Sequence, residues 1–137
     1  MRKYVIALYI RLSVEDIKTE SLSIPNQRLI LREKAMSLPE WDNGEVLEFV
    51  DNGHTGTNFE RPAVQELLTM VQAGSIDCII VKDLSRLGRH RTQTALFIDY
   101  LREHDVRVLS ATENIDTFNE NDDLIIGFKG LVNDSLA

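Results

Sequence analysis

"YVIALYIRLS", residues 4–13, is an apolar run that closes on a fixed cation and a hydroxyl. Tyr4 to Ile10 are all apolar, so this reads as a strand over about residues 3–11 that is buried on both faces, as the middle strand of a parallel sheet is. Side chains alternate along a strand. Tyr9, Arg11 and Ser13 therefore share one face, and Ile10 and Leu12 the other. The cation and the hydroxyl fall together at the strand's carboxyl end, where open α/β sheets keep their chemistry.

Outward from this strand the pattern alternates. Residues 13–22 are polar and read as a loop. A first helix follows, with Ser23 as N-cap, Pro25 in the first turn and Leu29, Ile30 and Ala35 at helical spacing, stopping near Ser37-Leu38-Pro39. Glu45 to Val50 is the second strand, and the segment from Asp51 to Asn58 is rich in turn residues. Arg61-Pro62 opens a second helix with Val64, Leu67, Leu68 and Val71 on one face and Gly74 at its close. Cys78 to Val81 is the third strand, Lys82 to His90 a loop, and Thr92 to His104 a helix with Ala95, Leu96, Ile98 and Leu101 inward. Val106 to Leu109 is a fourth strand. Leu124, Ile125, Phe128, Leu131, Val132 and Leu136 predict a last amphipathic helix from about residue 120. The fold class expected is α/β: a mostly parallel sheet of about four to five strands with helices on both faces, plus that C-terminal helix. Residues 1–137 read as one domain. The helical pattern stops at Ala137 without a cap, which points to a cut from a longer protein.

Composition narrows the classes. The chain has 137 residues, 43% apolar and 27% charged, ordinary for a globular domain. No run approaches the roughly 18 apolar residues of a membrane span. One cysteine, Cys78, excludes an intrachain disulfide and fits a cytoplasmic protein with a buried structural thiol. His54, His90 and His104 lack metal-ligand spacing and read as surface residues. The net charge of −7 argues against a DNA-binding surface spread over the whole chain. It conceals a basic loop: Lys82, Arg86, Arg89 and Arg91 face Asp83 alone, while residues 40–51 and 113–123 each carry −5. A concentrated basic loop in an acidic chain implies a focused anion site.

Polar groups follow three consecutive strands: Arg11 and Ser13, then Asp51 with Arg61 beyond it, then Lys82 to Arg89. In a parallel sheet those loops emerge on one edge. Arginine keeps its proton at accessible pH, and its planar fork matches phosphate oxygens. Several arginines around one hydroxyl suit a phosphodiester under attack.

Read together, "YIRLS" (9–13), "SLSIPNQ" (21–27), "VDNGHTGTNFERP" (50–62) and "VKDLSRLGR" (81–89) resemble the ordered signature of the serine recombinases, the resolvase/invertase group, and specifically its large members on mobile elements. The resemblance implies that Ser13 is a nucleophile that joins a DNA 5′-phosphate and frees a 3′-hydroxyl, with strand exchange and resealing that use neither metal nor ATP. It implies phosphate-binding roles for Arg11, Arg61, Arg86 and Arg89, with Lys82 beside them. Gln27 matches a glutamine that organises the site, and Asp51 the acidic residue near it. It further implies a homo-oligomer formed through the C-terminal helix and separate DNA-binding domains outside these residues. One departure matters: resolvases place an aspartate directly before the loop arginine, where this chain has Ser85. That leaves the proton-handling residue open, with Asp51 a candidate.

Plainer readings accompany each residue. Ser13 alone reads as a local cap, Arg11 as a snorkelling strand end, Gln27 as a surface residue and Asp51 as a turn cap; Arg91 is structural or solvent-facing. A receiver-like signalling module would share the alternation, but it needs acidic residues after the first strand. A phosphoesterase acting through Ser13 would need a water-activating base that the sequence does not offer.

Overall fold

A computed structural model of the chain describes residues 3–12, 23–52, 62–88 and 90–119. Five strands form one sheet: β1 Tyr4–Leu12, β2 Gly44–Asn52, β3 Cys78–Val81, β4 Arg107–Ser110 and β5 Ile115–Asp116, in the order β2-β1-β3-β4-β5. The first four are parallel and β5 returns antiparallel along β4. Three helices connect them: α1 Ile24–Met36, α2 Pro62–Gln72 and α3 Arg91–Glu103. Among the described residues no helix is long and apolar enough to cross a membrane. The loop at 13–22, the turn around His54, Thr55 and Gly56, and the expected C-terminal helix lie outside the described residues.

β1 is the central strand because its sequence has no wet face. Its even residues Ile6, Leu8 and Ile10 join Leu31 and Ala35 of α1, while Val5, Ala7 and Tyr9 join Val64, Leu67 and Val71 of α2 and Phe97, Ile98 and Leu101 of α3. Helices thus cover both faces, α1 on one and α2 with α3 on the other. Chain leaving β1 enters α1, and chain leaving β3 enters α3 on the opposite face. Neighbouring strands whose connections part in this way open a crevice at their carboxyl ends.

Two helix faces differ from the sequence expectation. On α1, Leu29 is 58% exposed, and Gln27, Leu31 and Ala35 are buried instead. At 100° per residue Leu29 lies nearly opposite that buried stripe, with Ile30 at its margin. On α3, Ala95 and Leu96 face outward and Phe97 takes the core position beside Ile98 and Leu101. The stripe centred on 97, 98 and 101 leaves residue 96 on the far side, where it helps Leu68, Phe97 and Tyr100 line an apolar groove. Cys78 is fully buried, and burial pushes its thiol up to about 12, which suits a structural residue.

β5 had no sequence signal of its own. Its two residues are held by side chains: the Arg107 guanidinium donates to Asp116 from Nη2 at 2.6 Å and Nε at 3.1 Å, and Thr117 Oγ1 accepts the Val108 N–H at 2.9 Å. Asn114 makes the reversal at φ 55, a left-handed conformation that its short polar side chain tolerates.

Candidate active site at the carboxyl edge of the sheet

Arg11 is the penultimate residue of β1 and is 8% exposed. Its backbone carbonyl accepts two hydrogen bonds, from Gln27 Nε2 at 3.1 Å and from Arg86 Nη1 at 2.9 Å. Its own guanidinium donates from Nη2 to the Ser85 carbonyl at 2.5 Å. The end of β1 is therefore laced to the first turn of α1 and to the loop after β3. Gln27 is fully buried, which corrects its reading as a surface residue. It takes a core position because the Arg11 carbonyl, at the strand's end, offers it a partner.

Asp51 is the penultimate residue of β2 and lies directly beside Arg11 in the strand register. Its carboxylate accepts the Tyr9 hydroxyl at 2.7 Å, the Ala63 N–H at 2.9 Å and the Val64 N–H at 3.1 Å. It is 1% exposed. A carboxylate that takes up two free N–H groups at a helix start behaves as a cap reaching in from another element.

In the loop after β3, Leu84, Arg86 and Leu87 are buried and Ser85 is exposed. Asp83 caps the short 3-10 turn Leu84–Arg86 by accepting the Ser85 N–H at 3.0 Å, and it also accepts the Ser85 hydroxyl. Its other oxygen lies 3.5 Å from Arg86 Nε and 3.5 Å from Lys82 Nζ. Burial alone would push the Asp83 carboxyl up. The Ser85 hydrogen bond and the Arg86 and Lys82 charges outweigh it and hold the group below the usual carboxylate range. From the β4 side, Glu113 Oε1 accepts the Leu84 N–H at 2.9 Å and the Ser110 hydroxyl at 2.6 Å. Gly88 closes the loop against α3: a Cβ there would lie 2.8 Å from both Thr94 N and Thr94 Oγ1.

Arg11, Gln27, Asp51, Lys82 and Arg86 thus gather at one edge, and two guanidiniums are drawn together there by backbone carbonyls. Ser13, Arg61 and Arg89 lie outside the described residues, although each adjoins this edge in sequence, after Leu12, before Pro62 and after Gly88. Sequence reasoning missed the Asp83–Ser85 contact and the bracing by Glu113. The acidic residue two places before Ser85 was the signal for the first; nothing in the sequence marked the second.

The chain matches the family model described as "Resolvase, N terminal domain" over residues 6–135. It is 30% identical over 105 residues to a putative DNA recombinase of Bacillus subtilis (strain 168), covering 77% of this chain and 20% of that protein. It is 33% identical over 63 residues to the DNA-invertase of Escherichia phage P1, covering 46% of this chain and 33% of that one. The chain therefore spans between a fifth and a third of the length of these relatives. Among solved structures, the N-terminal catalytic domain of TP901-1 integrase superposes with a TM-score of 0.75 at 26% identity, over 95% of this chain and 94% of that one. A resolvase family site-specific recombinase from Streptococcus pneumoniae shares the fold, with a TM-score of 0.70 at 17% identity over 97% and 89% of the two chains.

Proposed function

The chain belongs to the resolvase family of serine recombinases through its N-terminal domain, and on that footing we propose that it cuts and rejoins DNA at specific sites through Ser13. In this reading the Ser13 hydroxyl attacks a phosphodiester, the serine oxygen takes the 5′-phosphate, and the 3′ oxygen leaves. A partner strand's 3′-hydroxyl later reverses the step. Neither metal nor nucleotide is required, because the phosphoserine bond keeps the energy of the one it replaced.

Arg11, Arg61, Arg86 and Arg89, with Lys82 beside them, would hold the non-bridging oxygens as negative charge builds on them. Gln27 fixes the Arg11 backbone. Asp51 serves the site by holding Tyr9 and the start of α2 in place. The observation that carries the proposal is the bond from Arg86 Nη1 to the Arg11 carbonyl, 2.9 Å long, two residues before the hydroxyl in question. It ties the Arg86 cation of the loop after β3 to the strand end where Ser13 follows.

Sequence-specific DNA contacts and stable binding are assigned to residues outside this domain, in keeping with a chain of net charge −7. The amphipathic segment from about residue 120 would join subunits into the dimers and tetramers that exchange of paired strands demands. The setting is the cytoplasm, where chromosomal and mobile-element DNA is accessible.

The test uses the full recombinase and a duplex that carries its crossover site. Cleavage should leave 3′ ends that a polymerase extends and 5′ ends that stay bound to protein, and Ser13→Ala should abolish both. Extension from ends with free 5′-phosphates, or unchanged cleavage by Ser13→Ala, would refute the proposal.

A further inference from the structure

An attacking hydroxyl needs somewhere to direct its proton, and arginines offer no acceptor. At the edge described above, one exposed acceptor has its direction fixed. Ser85 is exposed, and its hydroxyl proton is committed to the Asp83 carboxylate beneath it. A carboxylate held below the usual range is anionic at neutral pH and can only accept, so the Ser85 proton must point inward and its lone pairs outward. Among the described residues, the charged groups facing Asp83 are Arg86 and Lys82, both 3.5 Å away and both donors. Glu113, the nearest carboxylate on the β4 side, is engaged by Leu84 N and the Ser110 hydroxyl.

We propose that Asp83 and Ser85 form one functional pair, in which Asp83 is a positioning residue that turns Ser85 Oγ into the hydrogen-bond acceptor for the hydroxyl entering the site. The inference rests on the recombinase reading and deepens it. It explains the departure at Ser85: the carboxylate that resolvases place directly before the loop arginine is here two residues earlier, and a serine extends its reach to the surface. The pair serves both directions of the reaction, because the incoming 3′-hydroxyl that reseals the strand presents the same donor as the serine that cut it. Ser85 keeps its own proton in this scheme: the hydrogen bond orients and polarises the attacking oxygen, and the proton that oxygen gives up ends on the leaving 3′ oxygen, which departs as the 3′-hydroxyl.

Asp83 also caps a 3-10 turn, and the experiment must separate the two roles. Asparagine caps as well as aspartate but carries no charge. The full recombinase is assayed with a duplex bearing its crossover site, mapped from recombined junctions, for duplex affinity and for the rate of covalent complex formation. Asp83→Asn and Ser85→Ala should each slow the covalent step by about 10- to 100-fold, the loss of one hydrogen bond to a charged group, with affinity unchanged. The double variant should be no slower than either alone. Exchanging the two residues, Asp83→Ser with Ser85→Asp, should recover most of the rate by restoring the resolvase order. Ser85→Ala removes only an exposed hydroxyl and carries the test should Asp83→Asn fail to fold. A normal rate in Ser85→Ala, additive losses in the double variant, or an exchange no better than the single changes would overturn the pair. If Ser13→Ala still formed the covalent complex, the recombinase reading itself would fall; if only Ser13 mattered, this inference alone would.

Discussion

At the scale of single residues, Asp51 shows how one carboxylate at the sheet edge orders its neighbours. Its two oxygens accept three hydrogen bonds, from Tyr9, Ala63 and Val64, of which those from Tyr9 and Val64 are buried. Asp51→Ala should destabilise the domain by about 3 kcal/mol, because it strands a buried hydroxyl and two N–H groups at once. Asp51→Asn keeps an acceptor and should lose less than half of that, and urea unfolding of both variants measures the difference. The positions of Arg11, Asp51 and Arg86 at or just after strand ends were legible in the sequence, because the apolar runs that mark those strands stop beside them. The burial of Gln27 was not, since it depends on a carbonyl supplied by Arg11, sixteen residues earlier and in another element. The Asp83–Ser85 contact had only the nearby acidic residue as a signal, because a single 3-10 turn leaves no periodicity to read.

Elements were legible in proportion to their apolar runs. β1 to β4 follow from them, within one or two residues at their ends; α1 follows from its Ser23 cap, and α2 and α3 from the spacing of their apolar residues. The faces of α1 and α3 were misjudged at Leu29, Ala95 and Leu96, where apolar side chains lie off the stripe that the sheet covers. β5 was not placed, because two residues held by the Arg107–Asp116 ion pair carry no pattern of their own. The loop after β3 carries Arg86 to the sheet edge, and Gly88 packs tightly against α3. Gly88→Ala forces a Cβ against the backbone N and hydroxyl of Thr94 and should cost about 1–3 kcal/mol. The loop should withdraw from α3 and carry Arg86 with it. The covalent step should then slow more than overall stability would suggest, and comparing cleavage rate with thermal unfolding of the same variant checks this.

Over the whole molecule, two carboxylates held by cations, Asp83 in the loop after β3 and Asp116 against the first residue of β4, set the response to pH. Asp83 and Asp116 are both held below the usual carboxylate range. In Asp116, burial pushes upward, and the Arg107 hydrogen bond, the Phe118 N–H and the Arg107 charge outweigh it. Groups with depressed folded values add stability that is present above the unfolded value of about 4 and is lost as pH falls through the folded ones. Thermal stability should therefore fall from about pH 4 downward, and the double change Asp83→Asn, Asp116→Asn should flatten that fall. A melting temperature that drops as steeply in the double variant would contradict it. The central claim is that the loops at the sheet's carboxyl edge assemble around the Ser13 hydroxyl to transfer a phosphodiester. Its most direct test is to trap the protein–DNA adduct formed on cognate duplex, digest both polymers and sequence the linked peptide by mass spectrometry. The account predicts a phosphate on Ser13. A phosphate on Ser85, on Tyr9 or on any other residue would contradict it.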